Sequence, residues 1–299
     1  MKVLNFGSLN LDYVYRVPHF AAPGETLAAG SRSVNLGGKG FNQTVALARA
    51  GATVFHAGCV GSEGRPLMAF LEENGVDVTF LQQVDRPQGR AIIQVTDTGE
   101  NCILLFGGSN EAVTERQADE VLARFGAGDW LVLQNEIPCV EYLARQAAAR
   151  GMQVFLNPSP FSEALRDLDY TLVSWLAVNE VEARQLTGRT CPEEAWAALH
   201  GTWPRLNMLL TLGGAGSVCF TPGGTCRQAA FSVRAVDTTG AGDTFTGFFL
   251  AGLAEGLPLQ ACMRQAAMAA AISVSRPGAA CSIPTAREVG RALQKLGQN

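Results

Sequence analysis

The feature that most constrains the fold of this chain is a regular alternation of helix-forming and apolar segments from Thr114 onward. The helix-forming run TERQADEVLARF is followed by apolar DWLVLQ, and VEYLARQAAARG is followed by MQVFLNP. The same order continues through YTLVSWLAVN, EVEARQLTG, CPEEAWAALHG and LNMLLTLG, and helices are predicted at 244–256, 258–274 and 285–296. Strands that alternate with helices of this length predict an α/β fold with a doubly wound, mostly parallel sheet.

Strand patterns of a different kind occupy much of residues 1–110. The run LDYVYRV alternates with a period of two, TLAAGSRSVNLGG is extended, and GRAIIQVTDTGENCILLF has the pattern of a hairpin with a polar turn. These runs predict a small separate β-sheet made from residues 10–38 and 88–107, placed as a lid over a cleft. The α/β unit then comprises residues 1–9, 39–87 and 108–299. Two further short strands are predicted at SVCFT and CRQAAFSVRAV.

Charge and cysteine content argue against several classes of protein. The chain has 23 basic and 27 acidic residues, a net charge of −4, and so lacks the basic excess of a nucleic-acid-binding protein. Its eight cysteines form no CxxC pair and lie in apolar segments, which indicates free thiols. No apolar run resembles a signal peptide or approaches the ~18 residues of a membrane span. We therefore expect a cytoplasmic protein with neither a nucleic-acid nor a membrane partner.

The run VRAVDTTGAGDTF, which reads as a strand, a cluster of small residues and a helix start, is the first candidate for chemistry. Ligands of open α/β sheets bind outside the carboxyl ends of the strands. Gly240, Ala241 and Gly242 leave the first N–H groups of the following helix open to a phosphoryl group, and Asp243 could accept a proton there. A plain glycine turn with an aspartate in the first helical turn is the alternative, and the turn alone leaves both open.

A second turn, NLGGKGFNQTVALARAGA, places Gly38, Lys39 and Asn42 at the start of a helix. Amides and a lysine at that position suit the hydroxyl groups of a sugar, whereas a flexible loop with a solvated lysine is the alternative. The spacing does not match a Walker A loop. Asp12, after the first predicted strand, could bind sugar hydroxyls or be solvated.

A third turn, AVNEVEARQLTG, gathers Asn179, Glu180 and Glu182 at a helix start. These residues could serve Mg²⁺ and phosphate, or they could simply cap the helix. The glycine-rich end of the strand LNMLLTLGGAGS could approach a nucleotide through Thr211, Gly213 and Gly216.

Taken together and in order, GSLNLD, GGKGFNQ, LQNEIP, NPSP, NEVEARQLTG, TLGGAGS and VDTTGAGDTF closely resemble the landmarks of the ribokinase-like (phosphofructokinase-B type) carbohydrate kinases. The resemblance covers essentially the whole chain. It implies a doubly wound α/β domain with a β-sheet lid, and transfer of the γ-phosphoryl group of MgATP to a sugar hydroxyl. A pentose such as ribose is the implied acceptor, with 2-deoxyribose, fructose, a sugar acid or a nucleoside as alternatives. Separately, the exposed faces of the predicted lid strands suggest a homodimer formed through the lid.

The resemblance also implies roles for individual residues. Asp243 resembles the catalytic base, and the backbone N–H groups of Ala241, Gly242 and Asp243, in the turn that Gly240 begins, resemble the anion hole. The sugar-binding positions are Asp12, Gly38, Lys39, Asn42 and Glu136. Positions for ATP and Mg²⁺ are Asn179, Glu182, Thr211, Gly213 and Gly216. A monovalent cation, K⁺, is implied at Asp237, Thr239, Ser273, Arg276, Gly278 and Ser282.

Two positions depart from the family pattern and put ribose as the substrate in doubt. Gly89 and Arg90 stand where a Thr-Gly pair followed by an apolar residue is usual, and Asn135 replaces an apolar residue. A sensor without catalytic activity on the same fold is a competing hypothesis, although it would have no need of Asp243 in an intact GAGD run. An NAD-dependent dehydrogenase is a third, but no GxGxxG follows the first strand.

Overall fold

The computed structural model describes residues 1–296. Its strands are β1 (Val3–Phe6), β2 (Asn10–Arg16), β3 (Ser31–Gly37), β4 (Val54–Val60), β5 (Asp77–Gln83), β6 (Arg90–Val95), β7 (Asn101–Phe106), β8 (Trp130–Gln134), β9 (Gln153–Asn157), β10 (Trp175–Asn179), β11 (Asn207–Thr211), β12 (Ser217–Thr221) and β13 (Gly224–Gln228). Its α-helices are α1 (Lys39–Arg49), α2 (Arg65–Glu73), α3 (Glu115–Leu122), α4 (Val140–Ala149), α5 (Glu180–Thr187), α6 (Pro192–Thr202), α7 (Ala241–Ala254), α8 (Leu259–Val274) and α9 (Ala286–Leu296).

Nine strands form one large sheet in the order β13-β12-β11-β10-β9-β8-β1-β4-β5. Pairing is parallel from β11 to β5, and only β12 and β13 join antiparallel. The inner strand β1 pairs with β4 on one side and β8 on the other. The predicted doubly wound, mostly parallel α/β fold is thereby confirmed.

Helices cover both faces of the large sheet because its strands are apolar on both sides. Val3 packs with residues of α1, α7 and α8 in one buried cluster. Leu4 and Phe6, which point to the opposite face, pack with residues of α3, α4 and α6 in the other. The two cores hold the strand ends in fixed positions relative to the helix starts.

A separate four-stranded sheet, hereafter the lid, has the order β3-β2-β6-β7. Strands β2 and β3 are antiparallel, β6 and β7 form the predicted hairpin, and β2 runs parallel to β6. Its strands come from the two segments predicted to form a small sheet, whereas the domain boundaries themselves stay a prediction. The register pairs Asp12 with Ala91 and Leu11 with Arg90, which places Asp12 and Arg90 on opposite faces of the lid.

One predicted strand is wrong, and one strand of the structure was not predicted. The run VRAV before Asp237 is not a strand: β13 ends at Gln228, and the exposed Val233 and Val236 lie outside both sheets. Strand β5, which the sequence analysis did not predict, pairs with β4 at the edge of the sheet. Its sequence, DVTFLQQ, carries only a weak apolar signal because a partly exposed edge strand does not need a continuous apolar run.

All eight cysteines are free thiols. Within residues 1–296, no helix is long and apolar enough to cross a membrane.

Helices α1 and α7, which begin at the predicted lysine turn and aspartate turn, approach each other at Gly247. A Cβ added to Gly247 would lie 2.4 Å from the Cβ of Ala46 in α1. Gly40, at the start of α1, lies equally close to the turn after β1, since an added Cβ would meet the Ser8 nitrogen at 2.4 Å. These two contacts require glycine, and they bring the start of α1 to the start of α7.

Candidate active site

A cavity of about 210 Å³ opens where the start of α7 faces the ends of β10 and β11. It is lined by Lys39, Asn157, Ala177, Val178, Asn179, Glu182, Thr211, Thr238, Gly240, Ala241, Gly242, Asp243 and Thr246. Eight of these lining residues belong to the predicted site: Lys39, Asn179, Glu182, Thr211, Gly240, Ala241, Gly242 and Asp243. The structure therefore brings the lysine turn and the aspartate turn into one cleft.

Helix α7 presents free backbone donors to this cavity. Its N-cap, Gly240, has φ 72°, a left-handed conformation that glycine adopts without strain. The Ala241 N–H donates to the Thr238 carbonyl over 3.2 Å. The N–H groups of Gly242 and Asp243 have no acceptor within residues 1–296, and nothing stands within 4 Å of a Cβ built on Gly242. Two of the three N–H groups expected to bind an anion are thus free to do so.

The Asp243 carboxylate is held by two amides from α1. Asn42 Nδ2 donates to Asp243 Oδ2 over 3.1 Å, and Gln43 Nε2 donates to Asp243 Oδ1 over 3.0 Å. Asp243 is 8% exposed, at the cavity wall. Both bonds are charge-assisted, so they fix the direction in which the carboxylate faces the cavity.

A buried polar network lies beneath these residues, and the sequence analysis did not assign it. Gln43 Nε2 also donates to Asn157 Oδ1, while Gln43 Oε1 accepts from Gln134 Nε2 over 2.7 Å. Gln134 Nε2 also donates to Asn5 Oδ1. A signal for this network is present in the sequence, because each of the apolar strands β1, β8 and β9 contains or ends with a polar residue. Buried polar groups require hydrogen-bond partners, so these residues could have been expected to bond to one another.

Two further carboxylates lie near Lys39. Glu136 Oε2 accepts from the Lys39 N–H over 3.0 Å and from the Ser8 hydroxyl. Burial, with smaller contributions from Glu136 and Asp243, raises the pKa of Asp12 to about 7. Burial likewise raises the pKa of Glu136, against the opposing effect of Lys39.

Lys39 remains cationic among these acids. Burial lowers its pKa, but the carboxylates of Asp243, Glu136 and Glu182 outweigh that effect and raise the pKa above its usual value. Gly38, immediately before it, is the N-cap of α1 with φ 96°, and an added Cβ would lie 3.0 Å from the Asn10 nitrogen. The predicted sugar-binding residues therefore form a compact charged group next to Asp243.

Asn179 and Glu182 form a capping box at the start of α5. Asn179 Oδ1 accepts from the Glu182 N–H over 2.8 Å, and Glu182 Oε2 accepts from the Asn179 N–H over 3.0 Å. The capping interpretation of these residues is correct, yet both also line the cavity. Glu182 Oε1 has no hydrogen-bond donor in the described part of the chain.

The predicted nucleotide residues Gly213 and Gly216 do not line the cavity. Gly213 lies on the exposed turn after β11, and an added Cβ would meet nothing within 4 Å. Gly216 has φ 101°, and an added Cβ would lie 2.2 Å from the Gln228 carbonyl oxygen. Contact with the end of β13 therefore accounts for Gly216 without a ligand.

The residues predicted for a monovalent cation fall into two hydrogen-bonded groups. Asp237 Oδ1 accepts from the N–H and hydroxyl of Thr239, and its Oδ2 accepts from the Gly278 N–H over 2.9 Å. Burial raises the pKa of the Asp237 carboxyl group, but these hydrogen bonds outweigh burial and hold the pKa below its usual value. The hydroxyls of Ser273 and Ser282 are 2.7 Å apart.

Arg276 directs its side chain away from both groups, since its Nη2 donates to Glu288 Oε1 in α9 over 2.6 Å. Among residues 1–296, no cluster of three or more His, Cys, Asp or Glu side chains could hold a metal ion.

The two departures from the family pattern do not face the cavity. Arg90 lies on the lid face opposite Asp12 and forms an ion pair with Glu63 at 2.6 Å. Asn135 Nδ2 donates to the Pro160 carbonyl over 2.7 Å, which ties two loops together. Neither side chain reaches the cavity that holds Lys39 and Asp243.

A doubly wound α/β unit, a small lid sheet and a carboxylate at a free helix N-terminus together define a small-molecule kinase. The chain belongs to the pfkB family of carbohydrate kinases, whose family model matches residues 1–286. It is 37% identical over 292 residues to the ribokinase of Haemophilus influenzae, covering 94% of this chain and 95% of that protein.

Solved structures agree with this assignment. The ribokinase of Cryptococcus neoformans in complex with ADP superposes with a TM-score of 0.84 and 33% identity, covering 97% of this chain and 99% of that one. The ribokinase of Arabidopsis thaliana complexed with ribose and ATP gives a TM-score of 0.85 and 29% identity, covering 98% of each chain. The predictions of the family, of the ribokinase-like fold and of an ATP-dependent sugar kinase are confirmed.

Proposed function

We propose that this chain transfers the γ-phosphoryl group of MgATP to a hydroxyl of a pentose, with ribose as the first candidate. The observation that carries the proposal is the Asp243 carboxylate, fixed by Asn42 and Gln43 beside the free N–H groups of α7 in the cavity that Lys39 lines. The relatives named ribokinase, and the ribose and ATP bound in the Arabidopsis structure, support ribose over the alternative acceptors.

The sugar-binding group has the chemistry that a polyol requires. Asp12 and Glu136 offer carboxylate acceptors, and Lys39 offers a cationic donor. Asn42 Oδ1 is a buried acceptor without a donor among residues 1–296. Since buried polar atoms are normally paired, a sugar hydroxyl is a suitable partner for that oxygen. Gly38, with φ 96°, permits the backbone turn that places Lys39 and Asn42 at this site.

In the proposed reaction the acceptor hydroxyl attacks the γ-phosphorus in line, forming the new O–P bond as the bond to ADP breaks. Asp243 takes the hydroxyl proton. The N–H groups of Gly242 and Asp243 stabilise the charge on the phosphoryl oxygens, with the positive end of the α7 dipole behind them. Such transfer depends on positioning and electrostatics more than on covalent assistance.

The acidic residues fit Mg²⁺ that arrives with the nucleotide. Mg²⁺ usually keeps several waters and binds through one or two carboxylates plus substrate phosphates, so a cage of protein ligands is not needed. The unpartnered Glu182 Oε1, with Asn179 beside it, can hold the water shell of the ion. When bound, Mg²⁺ neutralises phosphate charge.

A K⁺ site is proposed at the loop that precedes α7. Asp237 ties this loop to Gly278, and Thr244 of α7 donates to the Ser273 hydroxyl over 3.3 Å. The oxygen atoms of Asp237, Thr239, Ser273 and Ser282 are hard donors of the kind that K⁺ accepts. A cation there would order the start of α7.

A homodimer through the lid is also proposed. Six large apolar side chains in the lid strands are more than a third exposed: Val34, Ile92, Ile103, Leu104, Leu105 and Phe106. Four of them are consecutive on β7, an edge strand. A second copy of this chain is the proposed occupant, because exposed apolar edges normally require cover. Sedimentation equilibrium tests this, and a monomer at micromolar concentration would contradict it.

The central test of the proposed function measures turnover with a panel of candidate phosphoryl acceptors. Purified protein is incubated with MgATP and ribose, 2-deoxyribose, fructose, a sugar acid or a nucleoside, and ADP release is followed. Ribose is expected to give the highest kcat/KM. Absence of turnover with every acceptor would contradict the proposal, and binding without turnover would favour a sensor.

Two variants test whether Asp243 is the catalytic base. Asp243→Asn is expected to lower kcat by on the order of 10²–10⁴ while the Kd for the sugar changes little. Glu255→Gln, an exposed acid at the other end of α7, is the matched control and should retain the parent rate. A kcat within a few-fold of the parent for Asp243→Asn would remove it from that role.

A further inference from the structure

A second cavity, of about 610 Å³ and largely open to solvent, lies at the base of the lid and shares no residue with the candidate active site. It is lined by Ser62, Glu63, Asp85, Arg86, Pro87, Arg90 and Phe106. Ser62 and Glu63 follow β4, Asp85 to Pro87 follow β5, and Arg90 and Phe106 belong to the lid. The cavity therefore joins the carboxyl ends of two core strands to the lid, a position where α/β proteins commonly bind ligands.

The strand register separates this cavity from the sugar-binding group. Arg90 pairs with Leu11 on β2 and with Phe106 on β7, whereas Asp12 pairs with Ala91. Neighbouring residues of a strand point to opposite faces, so Arg90 and Phe106 lie on the lid face away from Asp12. A ligand here would not touch the reacting groups.

The cavity offers guanidinium donors that the protein does not satisfy. Arg90 Nη2 donates to Glu63 Oε2 over 2.6 Å and its Nε donates to the Gln88 carbonyl over 3.2 Å. The Nη1 of Arg90 has no acceptor within residues 1–296, and Arg86 forms neither a hydrogen bond nor an ion pair there. Arginine carries five N–H donors in a planar fork that suits phosphate and carboxylate oxygens.

A rigid segment holds the two arginines in place. Between them, the side chain of Gln88 is fully buried, donates to the Leu9 carbonyl over 2.6 Å and accepts from the Gly61 N–H over 3.0 Å. Gly89 packs so closely that an added Cβ would lie 2.2 Å from Asn110 Nδ2. A site whose donors emerge from a fixed backbone loses less conformational entropy when it binds a ligand.

We propose that this cavity binds a small organic oxyanion, a phosphate or carboxylate group attached to an apolar or aromatic body. Arg86 and the free edge of Arg90 bind the oxyanion. Pro87 contacts the apolar body, and Phe106, which is 50% exposed at the edge of the surface proposed for the dimer, borders the site on that side. Glu63 competes with the ligand for Arg90, so it limits the affinity of the site.

Titration calorimetry with phenyl phosphate tests the proposal, and a parallel titration with benzoate distinguishes the two headgroups. ADP is present throughout to occupy the first cavity. The double substitution Arg86→Gln and Arg90→Gln is expected to weaken binding at least about tenfold, since it removes the charge-assisted donors to the oxyanion. Glu63→Gln is expected to tighten binding several-fold, because it releases Arg90.

Arg32→Gln is the matched control. Arg32 is another lid arginine that lies over the Tyr13 ring, as Arg90 does, but it does not line the cavity. Its substitution should leave the Kd unchanged. Equal Kd values for the parent and the double variant, or weaker binding by Glu63→Gln, would overturn the proposal. Thermal unfolding and sedimentation of each variant exclude effects on folding or assembly. The measurement involves no turnover, so its outcome is independent of the proposed kinase reaction.

Discussion

Gln43 donates its side-chain N–H to the Asp243 carboxylate over 3.0 Å, across the contact between α1 and α7. The other N–H of the same amide donates to Asn157, and its carbonyl accepts from Gln134. Every hydrogen-bonding direction of Gln43 is thereby used except one lone pair, which fixes the orientation of its amide. The direction of the Asp243 carboxylate thus depends on a residue from a different helix and on the strand ends beneath it.

Substitution of Gln43 by leucine is expected to reduce both stability and rate. It removes the donor to Asp243 Oδ1, the donor to Asn157 Oδ1 and the acceptor of one Gln134 N–H group. One unsatisfied buried group costs roughly 1–3 kcal/mol. We expect urea unfolding to show a loss in that range and kcat to fall at least about tenfold. Gln294→Leu, at an exposed position of α9, is the control and should change neither quantity. An unchanged kcat for Gln43→Leu would show that the amide does not position the carboxylate.

Asp12 gives the stability a defined pH dependence. Its pKa in the folded protein is about 7, above the value of 3.8 in the unfolded chain, so the folded state holds the proton more tightly. Its contribution to stability is fully present below pH 3.8 and is lost as the pH rises through about 7. We expect the unfolding free energy of the parent relative to Asp12→Asn to fall by on the order of 3–4 kcal/mol across that interval. A difference that stays flat with pH would contradict the raised pKa.

His56 should give the opposite dependence of the unfolding free energy on pH, and it therefore provides a check on the measurement for Asp12. Burial lowers its pKa to about 4, below the unfolded value of 6.5. Its contribution is present above pH 6.5 and is lost as the pH falls through about 4. The parent should therefore lose stability relative to His56→Gln as the solution is acidified. Slopes of the same sign for the Asp12 and His56 pairs would show that at least one of them does not arise from the named group.

The sequence predicted the fold more completely than it predicted the contacts within the site. Apolar strands alternating with helices predicted the sheet and its two covered faces, because that periodicity is a local property. The strand predicted at VRAV was wrong because Val233 and Val236 have no sheet to bury them. The role of Gly216 as a nucleotide contact stays a prediction, whereas its close packing against Gln228 is a contact that the sequence does not show.

The polar network was missed for a related reason. Gln134 and Asn157 end apolar strands, but only the order of strands in the sheet places both beside Gln43. The resemblance assigned Lys39 and Asp243 to one active site, and they share a cleft because the start of α1 is hydrogen-bonded to the start of α7. Contacts between residues more than a hundred positions apart require the topology, which no local pattern specifies.

Dependence on K⁺ is expected if the loop before α7 holds the proposed cation. Sugar-dependent ADP release should be several-fold faster in potassium chloride than in sodium chloride or tetramethylammonium chloride at equal ionic strength. Asp237→Ala should abolish that difference, because it removes the carboxylate that connects Thr239 to Gly278. Asp97→Ala, in the exposed turn of the lid hairpin, is the control and should retain it. Equal rates of the parent in all three salts would refute the proposed cation.

The close approach of α7 to α1 at Gly247 should be required for both stability and activity. Alanine is the better helix former by up to about 1 kcal/mol, but its Cβ would lie 2.4 Å from the Cβ of Ala46 and 2.9 Å from the Leu47 nitrogen. Overpacking of this kind costs about 1–3 kcal/mol and separates the helices, which lengthens the hydrogen bonds from α1 to Asp243. We therefore expect Gly247→Ala to lower both the unfolding free energy and kcat. Gly290→Ala in α9, where an added Cβ meets nothing within 4 Å, should be neutral or stabilising. If both variants match the parent in urea unfolding and in rate, the helix contact does not control the position of the carboxylate.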